Sequence, residues 1–299
     1  MENVLVSVVV ISFNSAPTIL ETLDSIYAQT YQNIELILSD DGSSDHTVAL
    51  AQQWAQTHSH RFAGCQIRQS EQNMGVPHNA NAGVKLATGH YLKLLAADDI
   101  LLPNAIAQYV DICQKNNWDN VCCQVQPFCT RNSELHLLPG YDLYLPFFQL
   151  SAQEQYQDEL VDNRILSPAF FCTRELIEVM GYYDLRYRLM EDYPIYLKMC
   201  RSGVQFHALD VVTVQYRISE SSISNATSGR AVHPAYQKCV RRFFYQQRLF
   251  PLLKYGKLKR AFSLIRTYLC NDLAIFFGND KKSALVRFFV KLGGVHGKN

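Results

Sequence analysis

Two apolar runs in this chain end abruptly in paired aspartates. The first is Ile37-Leu38-Ser39-Asp40-Asp41-Gly42-Ser43-Ser44-Asp45, the second Leu92-Lys93-Leu94-Leu95-Ala96-Ala97-Asp98-Asp99. A continuous apolar run is how a parallel strand buried on both faces reads. Acid, Gly and Ser directly after it are turn formers. Together they place carboxylates in the crevice at the carboxyl ends of the strands, where open α/β sheets bind ligands. Two such acidic rims suggest a site for a nucleotide and a metal.

The surrounding pattern agrees with a parallel sheet. Val4–Ile11 predicts a central strand, and Pro17 opens an amphipathic helix with Ile19, Leu20, Leu23, Ile26 and Tyr27 at helical spacing. Ile34–Leu38 is the second strand, and Ser44 or Asp45 caps a helix that runs to about His58. Gln66–Arg68 is a short strand, Asn73–Pro77 a turn and Asn79–Ala87 a helix. Tyr91–Leu95 is the next strand, followed by a helix from Pro103 to about Asn116. This alternation predicts an α/β fold, with a mostly parallel central sheet and helices on both faces. Beyond residue 120 the order is less regular. Val121–Gln126, Arg164–Cys172, Gln205–Ala208 and Val211–Arg217 read as strands, and Thr173–Met180 and Tyr193–Arg201 as helices. Residues 139–163 read as a long aromatic and acidic loop, and from about Ala231 the chain reads as helices only.

Composition excludes several alternatives. The 299 residues are 48% apolar, enough for a large buried core. Nine cysteines, an odd number with no Cys-x-x-Cys, argue against a zinc site or disulfide framework and for reduced thiols in a cytosolic compartment. Met-Glu-Asn has no basic region, so no signal peptide is expected. No uncharged apolar stretch approaches the roughly 18 residues that span a bilayer. Gly-x-Gly-x-x-Gly after the first strand, a P-loop and a Gly-x-Ser-x-Gly elbow are all absent. The net charge of +1 hides a division: residues 231–299 hold 14 Lys/Arg against Asp272 and Asp280, leaving 14 Lys/Arg against 25 acids in residues 1–230. The balances of +12 and −11 imply different partners for the two parts.

Four elements, in order, carry a resemblance to a known family: Val-Ser-Val-Val-Val-Ile-Ser-Phe-Asn at 6–14, Asp-Asp-Gly-Ser-Ser-Asp at 40–45, Asn-Met-Gly…Asn-Ala-Gly at 73–83 and Ala-Asp-Asp at 97–99. Glu191-Asp192-Tyr193 is a fifth. The chain resembles the inverting GT-A glycosyltransferases of family 2. The resemblance implies a GT-A catalytic domain over 1–230, with a nucleotide-binding half at 1–100 and an acceptor half at 101–230, followed by a basic α-helical region at 231–299. It implies transfer of a sugar from a nucleoside diphosphate, most simply UDP, to a hydroxyl of a growing surface glycan or a lipid-linked glycan. Asp41 would accept from the N3–H of uracil while Phe13 stacks on the base, and Asp98 would touch the ribose. Ser12, Asn14, Asn73, Gly75 and Asn81 would complete the donor site. Asp99 would hold Mn²⁺ or Mg²⁺, which suit oxygen ligands. Asp192, with Glu191 beside it, would be the general base.

The chain departs from the pattern at Ala96, where many members carry a further Asp, at Ala80, where Arg is frequent, and at Ser219, where His is frequent. A sugar nucleotidyltransferase and a non-catalytic nucleotide-sugar or membrane scaffold are the rival readings. The aromatics Tyr141, Tyr144, Phe147, Phe148 and Tyr156 are either core packing or a platform for the acceptor sugar. The C-terminal helices mix Lys/Arg with an apolar stripe. They fit either an anionic membrane surface, making the enzyme peripheral at the inner face of the membrane, or packing on protein, including a second copy. No nucleic-acid recognition motif accompanies the charge.

Overall fold

The computed structural model describes residues 3–131, 134–139, 143–219 and 230–294. One nine-stranded sheet contains β1 (Val6–Ser12), β2 (Ile34–Asp40), β3 (Gly64–Gln69), β4 (Tyr91–Ala96), β5 (Ile100–Leu101), β6 (Asn120–Arg131), β7 (Glu134–Leu137), β8 (Phe170–Thr173) and β9 (Ala208–Arg217). Its order is β3-β2-β1-β4-β8-β6-β9-β5, with β7 paired to β6 outside that path. Between the strands run α1 (Ile19–Tyr27), α2 (Thr47–His58), α3 (Val76–Val84), α4 (Ala105–Asn116), α5 (Leu145–Phe148), α6 (Ala152–Glu159), α7 (Arg174–Val179) and α8 (Asp192–Arg201). After β9 come α9 (Pro234–Phe243), α10 (Leu249–Lys254), α11 (Leu258–Phe276) and α12 (Ala284–Gly293). The chain divides into two compact units, Met1–Tyr156 with Asn163–Arg217, and Gln157–Asp162 with Ile218–Asn299.

The sheet is parallel where the sequence alternates most regularly. β1 lies between β2 and β4, and β2 pairs with β3, all in parallel. Alternate residues of a strand face opposite sides. Val6, Val8, Val10, Leu36 and Leu38 therefore share one core with Ile19, Leu23, Ile26, Trp54 and Tyr109 of α1, α2 and α4. Val9 and Ser39 face the other side, where α3 packs so closely that a Cβ on Gly83 would lie 2.5 Å from Val9 Cγ1. The second half of the sheet is mixed: β4–β8, β6–β8, β6–β7 and β5–β9 are antiparallel, while β6–β9 is parallel.

Three local readings change. The expected loop at 139–163 contains α5 and α6 among its described residues. The expected strand Arg164–Cys172 is instead a short turn, Ser167–Ala169, leading into β8. The two late strands are one, β9, whose register against β6 shifts near Gln124. The N-cap of α2 is His46 and not Ser44 or Asp45; Asp45 stands one residue before it, and its carboxylate accepts from the backbone N–H of Thr47, the first residue of the helix.

A buried acid fastens the end of the sheet where β2 begins. Glu35 sits in an otherwise apolar strand and is 4% exposed. It accepts from the Ser7 and Thr88 hydroxyls and from the backbone N–H groups of Thr88 and Gly89. Burial pushes its carboxyl up, but these hydrogen bonds favour the charged form and hold it below its ordinary value. Glu35→Ala strands several buried donors and is expected to cost about 2–4 kcal/mol, read from the denaturant midpoint. An unchanged midpoint would remove Glu35 from the framework.

Candidate active site

The first acidic pair closes the ends of β1 and β2. Asp40 is fully buried; its carboxylate accepts from the Ser12 hydroxyl at 2.7 Å, the Ser43 N–H at 2.8 Å and the Ser43 hydroxyl at 2.5 Å. Asp41 is also buried. Its oxygens accept from the backbone N–H groups of Met74 at 2.9 Å and Gly75 at 2.8 Å. Asp41 therefore holds the turn before α3 and is not an idle acceptor, although each carboxylate oxygen keeps a lone pair. Ser12 and Asn14 are fastened as well: the Ser12 carbonyl accepts from the Asp41 N–H, and Asn14 Oδ1 accepts from the Ser44 N–H. Phe13 between them is 47% exposed, so its ring is not core.

The same turn is fastened from a distant segment. Arg188 donates to the Asn73 carbonyl at 2.7 Å and to its side-chain oxygen at 2.9 Å, while its own carbonyl accepts from the Val76 N–H. Gly75 between them has a φ of 97°, and an added Cβ would lie 2.3 Å from Arg188 Cγ. Only glycine meets both demands there. Asn81, expected in the donor site, has a different job. Its amide donates to the Tyr183 carbonyl and accepts from the Tyr183 N–H, both at 2.8 Å. With both polar ends engaged by one backbone, it braces α3 against the segment that leads to Glu191. Asn79 clamps the two strand ends by donating to the Ser12 and Ser39 carbonyls.

The second acidic pair follows β4, and the member expected to hold the metal, Asp99, is the more buried of the two. Asp99 is 1% exposed and faces inward, where its carboxylate accepts from the Arg217 N–H at 3.0 Å. Burial and the neighbouring Asp98 hold its carboxyl well above the ordinary range. Asp98 keeps some surface. Its carboxyl is also raised by burial, with Arg217 as opposing charge. Arg217 is itself pinned: Nε donates to the Asp98 carbonyl at 2.8 Å, one terminal nitrogen to Thr130 and the other to Glu21, and its guanidinium lies 4.4 Å from the Phe128 ring centre. Lys93 is fully buried on β4 and donates to the carbonyls of Pro168 and Phe170. Burial pushes its ammonium down to about 8, against the opposing pull of Asp99.

Among the described residues no group of three or more His, Cys, Asp or Glu could hold a metal ion. A hard divalent cation needs fewer protein ligands when phosphate oxygens and water supply the rest. The carboxylate with surface to offer is Asp98, with Asp99 behind it. The donor set therefore fits a cation shared with a diphosphate and not a protein-only cage.

The third acidic pair stands at the start of α8. Burial first, and the Asp192 charge second, push Glu191 up to about 8. Asp192 is also raised by burial, but hydrogen bonds from the Tyr193 N–H and from Asn163 favour its charged form. Both carboxyls of the pair are thus held above their ordinary values, and Asp192 is the one whose charged form receives hydrogen bonds. Asn163 donates to Asp192 Oδ2 at 3.1 Å, and its own Oδ1 accepts from the Ile165 N–H, which fixes the amide orientation. Tyr183 and Tyr196 are buried within electrostatic reach of the pair. Of the aromatic stretch, Phe147 and Tyr156 are core, while Tyr144 is exposed with the Arg164 guanidinium 4.8 Å from its ring centre. Tyr141 lies outside the described residues.

The model of the glycosyl transferase family 2 matches residues 7–174. The chain belongs to this family. An uncharacterized glycosyltransferase of Rickettsia typhi is 28% identical over 74% of the chain and 66% of its own length. The Escherichia coli enzyme WfgD, a UDP-Glc:alpha-D-GlcNAc-diphosphoundecaprenol beta-1,3-glucosyltransferase, is 30% identical over 39% of the chain and 44% of its own length. The chain thus spans less than two thirds of these curated relatives. Staphylococcus aureus TarS 1-349 in complex with UDP-GlcNAc superimposes with a TM-score of 0.61 at 16% identity, over 96% of this chain and 84% of that one. The mannosyltransferase PcManGT of Pyrobaculum calidifontis, in complex with GDP-Man and Mn²⁺, gives 0.57 at 17%, over 98% and 85%. The fold is the α/β GT-A fold.

Sequence reasoning missed Asn163, Arg188 and the bracing role of Arg217. Arg217 stands two residues before Ser219, a position already compared with the family pattern; a lone Asn in an acidic stretch carried no signal. Asn163→Ala removes a hydrogen bond that favours the charged carboxylate, so Asp192 should hold its proton to higher pH. The acid limb of a pH–kcat profile should move upward, by about one unit or less. A limb that stays or moves down would detach Asn163 from the titration of Asp192.

Proposed function

We propose that this family 2 enzyme moves a sugar from a UDP-sugar to a hydroxyl of a glycan or lipid-linked glycan by a single displacement. The observation that carries the reading is the partly buried Glu191–Asp192 pair at the start of α8, in which Asn163 donates to the Asp192 carboxylate and favours its charged form. A base so tuned typically contributes about 10²–10⁴-fold. Asp192 takes the proton of the acceptor hydroxyl as its oxygen attacks the anomeric carbon. The bond to the diphosphate oxygen breaks, the electron pair leaves with the nucleoside diphosphate, and the anomeric configuration inverts.

The exposed Phe13 ring stacks on the base, and Asp41 uses a remaining lone pair for the uracil N3–H while holding Met74 and Gly75. Asp98, backed by Asp99 and Arg217, offers the carboxylate for Mn²⁺ or Mg²⁺. That cation would neutralise charge developing on the departing diphosphate. The relatives support the donor class: WfgD is named for a UDP-sugar and a diphosphoundecaprenol acceptor, and the two structural neighbours hold UDP-GlcNAc and GDP-Man with Mn²⁺. Lipid-linked acceptors would place the enzyme at the cytoplasmic face of a membrane.

The test is a panel of nucleotide sugars screened by thermal shift with and without Mn²⁺, since a ligand bound to the folded state raises its stability. At least one UDP-sugar should stabilise the protein in a Mn²⁺-dependent way. Asp192→Asn should keep that stabilisation and lose transfer by about 10²-fold or more. Absence of any nucleotide-sugar response, or full transfer by Asp192→Asn, would overturn the proposal.

A further inference from the structure

The second unit carries an apolar face that its own packing does not use. Along α11, Leu258, Phe262, Leu269, Leu273 and Phe276 are exposed. Their spacings of four, seven, four and three residues place them on one side of the helix. The opposite side is already occupied, because Leu264, Tyr268 and Ala274 are buried. The helix has 19 residues, so the stripe runs for about 28 Å. α12 folds back on α11, with the Thr267 hydroxyl donating to the Gly293 carbonyl. It continues the exposed apolar surface with Leu285, Phe288 and Leu292. Ring contacts join the two helices: Phe276 meets Phe277 at 5.2 Å, Phe277 stacks on Phe289 at 5.6 Å, and Phe289 meets Phe288 at 5.6 Å. Phe276 is 80% exposed and Phe288 58%.

Charge decides what can cover this face. Lys259, Arg266, Lys281, Lys282, Arg287 and Lys291 are exposed on the same two helices or the turn between them. Residues 231–299 carry a balance of +12. A second copy seated face to face would bring +12 against +12. An anionic phospholipid surface meets both properties, because it accepts aromatic rings at the headgroup boundary and attracts juxtaposed Lys and Arg. Among the described residues no helix is long and apolar enough to cross a membrane, so the contact lies along the surface.

We propose that the exposed face of α11 and α12 docks on an anionic bilayer, with Phe262, Phe276 and Phe288 entering the headgroup boundary and Lys259, Lys281 and Lys282 meeting the lipid headgroups. This attachment is independent of the sugar chemistry. The experiment is flotation of the whole chain with vesicles of equal parts phosphatidylglycerol and phosphatidylcholine, compared with pure phosphatidylcholine. The protein should float with the anionic vesicles and about tenfold or more less with the neutral ones, and added salt should weaken the binding. Phe262→Ser, Phe276→Ser and Phe288→Ser together should reduce binding to anionic vesicles at least about tenfold. Far-UV circular dichroism and nucleotide-sugar thermal shift should match the parent chain, because these rings are exposed. A second variant, Lys259→Gln with Lys281→Gln and Lys282→Gln, should lower binding and reduce its salt dependence. Three results would overturn the proposal: no flotation, flotation unaffected by the Phe substitutions, or a concentration-dependent oligomer in light scattering that those substitutions dissolve without any vesicle binding. The last result would assign the face to a second copy.

Discussion

Buried carboxylates that accept backbone N–H groups hold the carboxyl edge of the sheet together. A charge removed from water is costly unless hydrogen bonds satisfy it. Asp40 satisfies itself on Ser12 and Ser43 and Asp41 on Met74 and Gly75, while Asp99, whose carboxyl burial holds well above the ordinary range, accepts from the Arg217 N–H. Each bond joins a strand end to a loop or to another strand. The acids that mark the site in the sequence are therefore mainly its fasteners. What this edge leaves exposed is small: the Phe13 ring and part of Asp98.

The same constraint extends to the proposed base. Arg188 and Asn81 tie the donor turn and α3 to the chain just before Glu191. Burial then raises both carboxyls of the Glu191–Asp192 pair, and Asn163 donates to Asp192 and favours its charged form. The segment that presents Asp192 is anchored on the turn that Asp41 holds, so the two proposed roles share one framework. Lys93 adds a cation under β4, close enough to pull against Asp99 and bonded to the carbonyls that precede β8. It balances one of the buried acids without reaching solvent.

The parallel half of the sheet was legible in the sequence, because strands buried on both faces must be apolar throughout and end in turn residues. β1, β2 and β4 fall within a residue or two of the apolar runs that announce them. The antiparallel half was less so, since β8 and β5 are short and α5 and α6 lie in a polar, aromatic stretch without a clean period. Within the candidate site, the motifs lie at strand ends and turns of one sheet edge, but the burial and partners of their side chains were not legible. Asp98 and Asp99 are adjacent, and nothing in a one-dimensional reading says which of the two faces inward. Asn81 looked like a donor contact because its partner, the Tyr183 backbone, lies 102 residues away. Glu35 and Lys93 interrupt apolar strands as single polar residues, and only the folded structure supplies the donors and carbonyls that make them tolerable.

The proposed chemistry is one displacement assisted by one base. The most direct measurement is the anomeric configuration of the product from an α-linked UDP-sugar, followed by NMR from the first turnovers. A single displacement predicts a β-linked product, inverted at the anomeric carbon. An α-linked product would mean retention, a second nucleophilic step, and a role for the Glu191–Asp192 pair other than general-base catalysis on the acceptor hydroxyl.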